Sequence, residues 1–153
     1  LTDAGFKQYE VSAYSKSRPS QHNMNYWSFG DYIGVGAGAH GKISHSDTQL
    51  IERIWKTRQP ENYMNTEKSF IAGQEKVNVE QRPVEFMMNA LRLNQGVETR
   101  LYEQRTGLRL SDLEPTLNKL RKQGLISEND QRLQATALGQ RFLNNLIDAF
   151  IAD

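Results

Sequence analysis

Ser111-Asp112-Leu113-Glu114-Pro115-Thr116-Leu117-Asn118-Lys119-Leu120-Arg121-Lys122-Gln123-Gly124-Leu125-Ile126 is the stretch from which the second half of the chain can be read. Ser111 with Glu114 three residues on is a reciprocal capping pair, Leu113, Leu117 and Leu120 share one helical face, and Gly124 supplies the stop. Before it, Val84, Met87, Met88 and Leu91 fall at helical spacing after Pro83, and Gly96 ends that run. A shorter helix is predicted over residues 99–105, closed by Gly107. After it, Leu125-Ile126 and Arg132-Leu133-Gln134-Ala135 flank the turn residues Glu128-Asn129-Asp130, which predicts a hairpin. Thr136 then opens a closing helix with Leu138, Phe142, Leu146 and Phe150 at four-residue intervals. Three helices, a β-wing and a closing helix predict a winged-helix-like domain over residues 80–153.

Residues 1–79 read differently, and the fold class predicted for the whole is α+β. Tyr9-Glu10-Val11-Ser12-Ala13-Tyr14 alternates as a strand does, and Asp31-Tyr32-Ile33-Gly34-Val35 is a second extended stretch. A long polar loop is expected between them. Ser46 or Asp47 can cap a helix whose Leu50, Ile51, Ile54 and Trp55 share one face, with Pro60 preventing its continuation. Residues 60–79 are polar and predict a connector with a helical turn over residues 69–75.

Composition sets further bounds. The chain has 153 residues, 37% of them hydrophobic, enough for one ordinary domain or two small ones. Nineteen Lys and Arg against eighteen Asp and Glu leave a charge of +1, so no global field draws it to nucleic acid or an anionic membrane. Residues 80–153 carry ten basic and ten acidic side chains, and only Lys119, Arg121 and Lys122 cluster. That argues against a DNA-reading third helix, because phosphate neutralisation needs a clustered positive surplus. No apolar run is long enough to span a bilayer, and Leu1-Thr2-Asp3-Ala4-Gly5 is no signal peptide, so a cytoplasmic protein is expected. The start without Met, inside what reads as an element, suggests a piece of something longer. There is no cysteine, which excludes disulfides, thiolate zinc sites and an iron-sulfur cluster held by this chain's own thiolates. Anaerobic reconstitution should therefore leave the purified chain without stoichiometric cluster, and iron and sulfide analysis checks this.

Two segments could carry chemistry. Gly34-Val35-Gly36-Ala37-Gly38-Ala39-His40-Gly41 superficially matches a dinucleotide fingerprint, but the following Lys42-Ile43-Ser44-His45 offers no helix start for a pyrophosphate. These glycines serve either close packing or a backbone that faces a ligand. Gln21-His22-Asn23-Met24-Asn25-Tyr26-Trp27 joins an imidazole to two large aromatics. A neutral imidazole can ligate a metal or haem iron, Tyr26 and Trp27 can stack on a flat macrocycle, and Lys16 and Arg18 can pair with propionates. The plain alternative is a histidine hydrogen-bonded within a core. His22, His40 and His45 lack the spacing of a three-histidine metal site.

Gln8-Tyr9-Glu10-Val11-Ser12, His22-Asn23-Met24-Asn25-Tyr26-Trp27 and Asp31-Tyr32-Ile33-Gly34-Val35-Gly36-Ala37-Gly38-Ala39-His40 together resemble the C-terminal half of the oxygen-independent coproporphyrinogen III oxidase family of radical S-adenosylmethionine proteins. The resemblance covers nearly the whole chain, and the adjacent Tyr26-Trp27 pair matches the family's haem-chaperone branch. It implies a partial (β/α) barrel in intact members, with a Cys-x-x-x-Cys-x-x-Cys motif that binds a 4Fe-4S cluster and positions S-adenosylmethionine. None of those cysteines is in this chain. By the same resemblance residues 1–79 are the end of the radical S-adenosylmethionine domain, a remnant of its barrel, and residues 80–153 the family's C-terminal domain. It implies His22, Asn23, Tyr26 and Trp27 as haem-binding residues, with His22 on the iron, and Met24, Asn25, Gly36, Gly38, Ala39 and His40 as residues facing S-adenosylmethionine or substrate. The partners implied are haem or porphyrin, the N-terminal half of the family's architecture, and respiratory proteins that accept haem. The enzymatic alternative is oxidative decarboxylation of coproporphyrinogen III to protoporphyrinogen IX.

Overall fold

The computed structural model describes residues 1–151. Its first strands, β1 (Lys7–Glu10) and β2 (Ala13–Ser15), are the two arms of an antiparallel hairpin. The single strand expected over residues 9–14 is thus folded on itself at Val11-Ser12. The cause is local: Ser12 donates from both its backbone N (2.9 Å) and its Oγ (2.8 Å) to Glu10 Oε1, which closes the turn. The polar loop expected next contains helix α1 (Gln21–Trp27), capped by Ser20, whose side chain accepts from the Asn23 N–H at 3.3 Å. The helix ends at Ser28, and Phe29 adopts φ 57°. That conformation is unfavourable for a bulky residue. Here it buries Phe29 edge-on against Phe86, with ring centroids 5.8 Å apart.

Residues 31–35 do not form the strand expected of them. Tyr32 exchanges two 2.9 Å backbone hydrogen bonds with Lys42, but Ile33 and Val35 are 79% and 83% exposed. The chain then doubles back so tightly that a Cβ on Gly34 would lie 2.2 Å from the His40 carbonyl oxygen. A three-stranded antiparallel sheet follows, from β3 (His40–His45) through β4 (Leu50–Lys56), then a single helical turn α2 (Pro60–Tyr63), to β5 (Ile71–Lys76). The strand order is β3-β4-β5, so β4 is bonded on both edges.

Two expectations fail in this sheet. The segment read as a helix from Ser46 is β4, and the connector with a turn over residues 69–75 is β5. Leu50, Ile51, Ile54 and Trp55 suit a helical face and a pleated strand alike. The β-branched residues favour the strand, and Ser46 to Gln49 serve as a hairpin turn that sets His45 opposite Leu50. At the other edge Trp55 pairs with Gly73, where a Cβ would meet the indole at 2.3 Å.

Lys42, only 3% exposed, places Nζ 3.1 Å from Asp31 Oδ1, and Ser44 donates to the same carboxylate from N (2.9 Å) and Oγ (2.8 Å). Burial alone would raise the Asp31 pKa, but the hydrogen bonds from Ser44 and Lys42 prevail and hold the carboxyl below its ordinary 3.8. A depressed folded pKa contributes stability that is complete above 3.8 and is lost as pH falls through the lower folded value. Asp31→Asn is expected to lower stability at neutral pH by about 2 kcal/mol, since it removes the carboxylate charge that faces the buried Lys42 ammonium and accepts from Ser44. It should also flatten the acid limb of a stability-pH curve below pH 4, and denaturant titration from pH 2 to 7 measures both effects.

Beyond residue 80 the helices run α3 (Arg82–Ala90), α4 (Arg100–Thr106) and α5 (Glu114–Lys122). The short strands β6 (Val97–Glu98) and β7 (Arg132–Leu133) pair with each other. The closing helices are α6 (Ala137–Arg141) and α7 (Leu143–Asp148). On α3, Phe86, Met87, Ala90 and Leu91 are buried while Met88 is exposed, and Phe86 packs at right angles on Tyr102. Gly107 closes α4 at φ 72° as expected. The capping pair expected at Ser111 is not made: a short 3₁₀ turn covers Leu110–Asp112, and Glu114 bonds forward to Arg121 at 3.3 Å. Leu113, Leu117 and Leu120 are buried as the spacing requires.

The hairpin after Gly124 reduces to one bridge, Ile126 to Ala135, and β7 pairs instead with Val97–Glu98, which sequence reading left unassigned. The closing helix is split at Phe142 (φ −117°, ψ 35°). Thr136 caps its first part through the Gly139 N–H, and Leu146 and Phe150 are buried, but Leu138 and Phe142 are exposed. The whole is a mixed helix-and-sheet chain in two compact units, one of residues 1–29 with residues 80 onward, the other Gly30–Val79. Sequence reading placed a single division at residue 79.

Candidate functional site

Helix α1 carries most of the residues singled out by the sequence, and its short length divides them between two sides. Asn23 Nδ2 donates to the Tyr9 hydroxyl at 3.0 Å, tying the helix to β1. Trp27 lies beneath the Arg92 guanidinium, 4.4 Å from Cζ to the ring centroid, and Tyr26 meets its edge at 4.8 Å. His22 and Asn25 are exposed, Tyr26 is half-buried, and the three fall at helical i, i+3, i+4 spacing on one side. Of the four haem candidates, the exposed His22 and the half-buried Tyr26 therefore lie on one side of the helix, while Asn23 and Trp27 serve to seat it. The stacking face expected of Trp27 is covered on one side by Arg92. Met24 points to a separate cleft of about 270 Å³, with Lys7, Tyr9, Ser17, Leu93 and Arg132 among its walls. Arg18 is exposed, and Lys16 sits over the Phe6 ring at 4.9 Å.

The remaining candidates belong to the Gly30–Val79 unit. Gly36 N donates to the Tyr63 hydroxyl (3.1 Å) and Gly38 N to the Thr57 carbonyl (2.8 Å), while the Ala39 carbonyl accepts from Lys56 N (2.9 Å). His40 begins β3 opposite Trp55 and is exposed. A strand follows the glycines directly, so no helix N-terminus faces a phosphate there. Gly36 and Gly38 take φ 109° and 72°, which explains glycine at both positions on conformational grounds alone.

Sequence reasoning missed the groups that hold α1. Glu10, 1% exposed, pairs with Arg92 Nη2 at 3.2 Å across 82 residues of sequence. Glu10 also bridges to Leu93, Val11 N donates to the Arg92 carbonyl, and Asn94 N donates to the Tyr9 carbonyl. A polar residue inside an alternating strand was the one available signal, and nothing local points from it to Arg92. Among the described residues no group of three or more His, Asp or Glu side chains is arranged to hold a metal ion. Haem iron is already held by its macrocycle and takes only axial ligands, which an exposed imidazole such as that of His22 is chemically able to supply.

Residues 77–142 match the HemN C-terminal domain. The fold is similar to that of coproporphyrinogen III oxidase (HemN) from Escherichia coli, a radical S-adenosylmethionine enzyme. The TM-score is 0.62 at 15% identity, covering 99% of this chain and 38% of that one. Residues 77–142 thus carry the HemN C-terminal domain, and the chain shares the fold of part of that oxidase. More particularly the chain is HemW-like, being 40% identical over its whole length to the haem chaperone HemW of Escherichia coli and 40% identical to that of Haemophilus influenzae. It spans about 40% of the length of these curated relatives. Among the described residues no helix is long and apolar enough to cross a membrane.

Proposed function

We propose that this chain is the haem-handling C-terminal part of a HemW-type chaperone, with haem docking at the exposed His22 of α1. The observation that carries the reading is an exposed His22, with Tyr26 one turn on, in a chain 40% identical throughout to named haem chaperones. His22 would ligate iron, Tyr26 would flank the porphyrin, and Asn23 and Trp27 would hold the helix in place. Met24, Asn25, Gly36, Gly38, Ala39 and His40 are proposed to face S-adenosylmethionine or substrate. In this reading the 4Fe-4S cluster and S-adenosylmethionine, which together supply radical chemistry, belong to a region of the longer relatives outside this chain. Residues 1–79 are then the end of the barrel domain, and residues 80–153 a winged-helix-like domain that packs or meets a partner rather than nucleic acid. Delivery to respiratory haem proteins in the cytoplasm completes the proposal.

Haem titration followed by the Soret band, with subsequent transfer to an apo-haemoprotein, tests the reading. Saturable binding near equimolar haem supports it, and binding no tighter than that of a His22→Ala variant removes it. Formation of protoporphyrinogen IX from coproporphyrinogen III would instead favour the oxidase.

A further inference from the structure

We infer that Glu10 and Arg92 are positioning residues that set the haem-facing side of α1, an inference that rests on the haem reading of His22. A helix of seven residues does not sustain itself, so its orientation comes from whatever grips it. The grip at its C-terminal end is the Arg92 guanidinium on the Trp27 ring. Trp27 lies five residues beyond His22, which on a regular helix turns the two side chains roughly 140° apart. Pinning Trp27 inward therefore turns His22 outward.

Arg92 is fixed in turn. Its Nη2 meets Glu10, whose other oxygen is saturated by Ser12 N and Oγ, so the carboxylate has one orientation available. Trp27 Nε1 and Arg92 Nε are both buried without a protein hydrogen-bond partner. The grip thus consists of the cation-π contact on Trp27 and the Glu10 ion pair, which the broad arginine guanidinium makes together and the single ammonium of a lysine makes less well.

The test is haem titration of the protein and its variants well below each variant's unfolding midpoint, with Soret shape and electron paramagnetic resonance reporting the iron's ligand. Arg92→Leu is expected to weaken haem binding by about tenfold, a coupling typical of residues in contact, and to alter the ligand signature. Arg92→Lys, which keeps the charge but makes the two contacts together less well, should fall between Arg92→Leu and the parent. Glu10→Gln should reproduce the altered signature and serves if Arg92→Leu does not fold. In a His22→Ala background, Arg92→Leu should cause no further loss. A folded Arg92→Leu with the parent's affinity and spectrum, alongside a His22→Ala that loses binding, overturns the inference and leaves the haem reading standing. A His22→Ala variant that binds as the parent does removes the haem reading first, and the positioning role with it.

Discussion

Replacing Gly96 by alanine is expected to lower stability by about 4 kcal/mol, combining left-handed backbone strain with overpacking. Gly96 has φ 60°, and a Cβ there would lie 2.1 Å from the Leu133 carbonyl oxygen and 2.7 Å from Gln134 Cα. Those atoms are backbone and cannot swing aside. The strain falls where β6 meets β7, so the pairing of Val97 with Leu133 must open to relieve it. Gly124 provides the control: it has a similar φ of 70°, but nothing lies within 4 Å of its ideal Cβ. Gly124→Ala should cost about 1 kcal/mol, the conformational part alone. Urea unfolding of the two variants measures the difference, and equal losses would show that the close approach at Gly96 carries no energy.

The second large effect concerns haem. On the proposed ligand role of His22, His22→Ala is expected to weaken haem binding by more than about a hundredfold, since loss of a ligand exceeds the loss typical of outer-shell partners. His45→Ala should leave affinity within about twofold, because that ring, 3.1 Å from Glu52 on neighbouring β4, forms only a half-exposed surface pair. Trp27→Ala should fall between them. Its loss acts through the seat of α1, with Arg92 left without the ring it covers. Soret titrations of the three variants give the ranking. Equal affinities for the parent and His22→Ala would return His22 to a surface role.

The helical half of the chain was legible wherever one element's own residues decide its form. Leu113, Leu117 and Leu120 announce α5, Gly107 ends α4, and Thr136 caps α6, each through contacts a few residues apart. The sheet was not legible, because β4 owes its form to strands on both sides of it. Its apolar spacing fits either period, and long-range pairing made the choice. The candidate site divides the same way. The motif around His22 stands out as residue types, but which of them face outward depends on Arg92, and no periodicity links residue 10 to residue 92.

That distant pairing also governs the order in which the molecule can be assembled on a ribosome. Helix α1 and the hairpin before it emerge first, yet Arg92, which covers Trp27, and Leu93 and Asn94, which with it bond to residues 9–11, are made more than sixty residues after Trp27. At synthesis rates of about 5–20 residues per second, the exposed His22-Trp27 segment waits several seconds for its seat. The Gly30–Val79 unit, whose sheet pairs only within itself, can form during that interval. On the proposed haem role, haem captured before residue 94 is made would meet an unanchored peptide, so the seat that fixes one orientation is complete only after that residue.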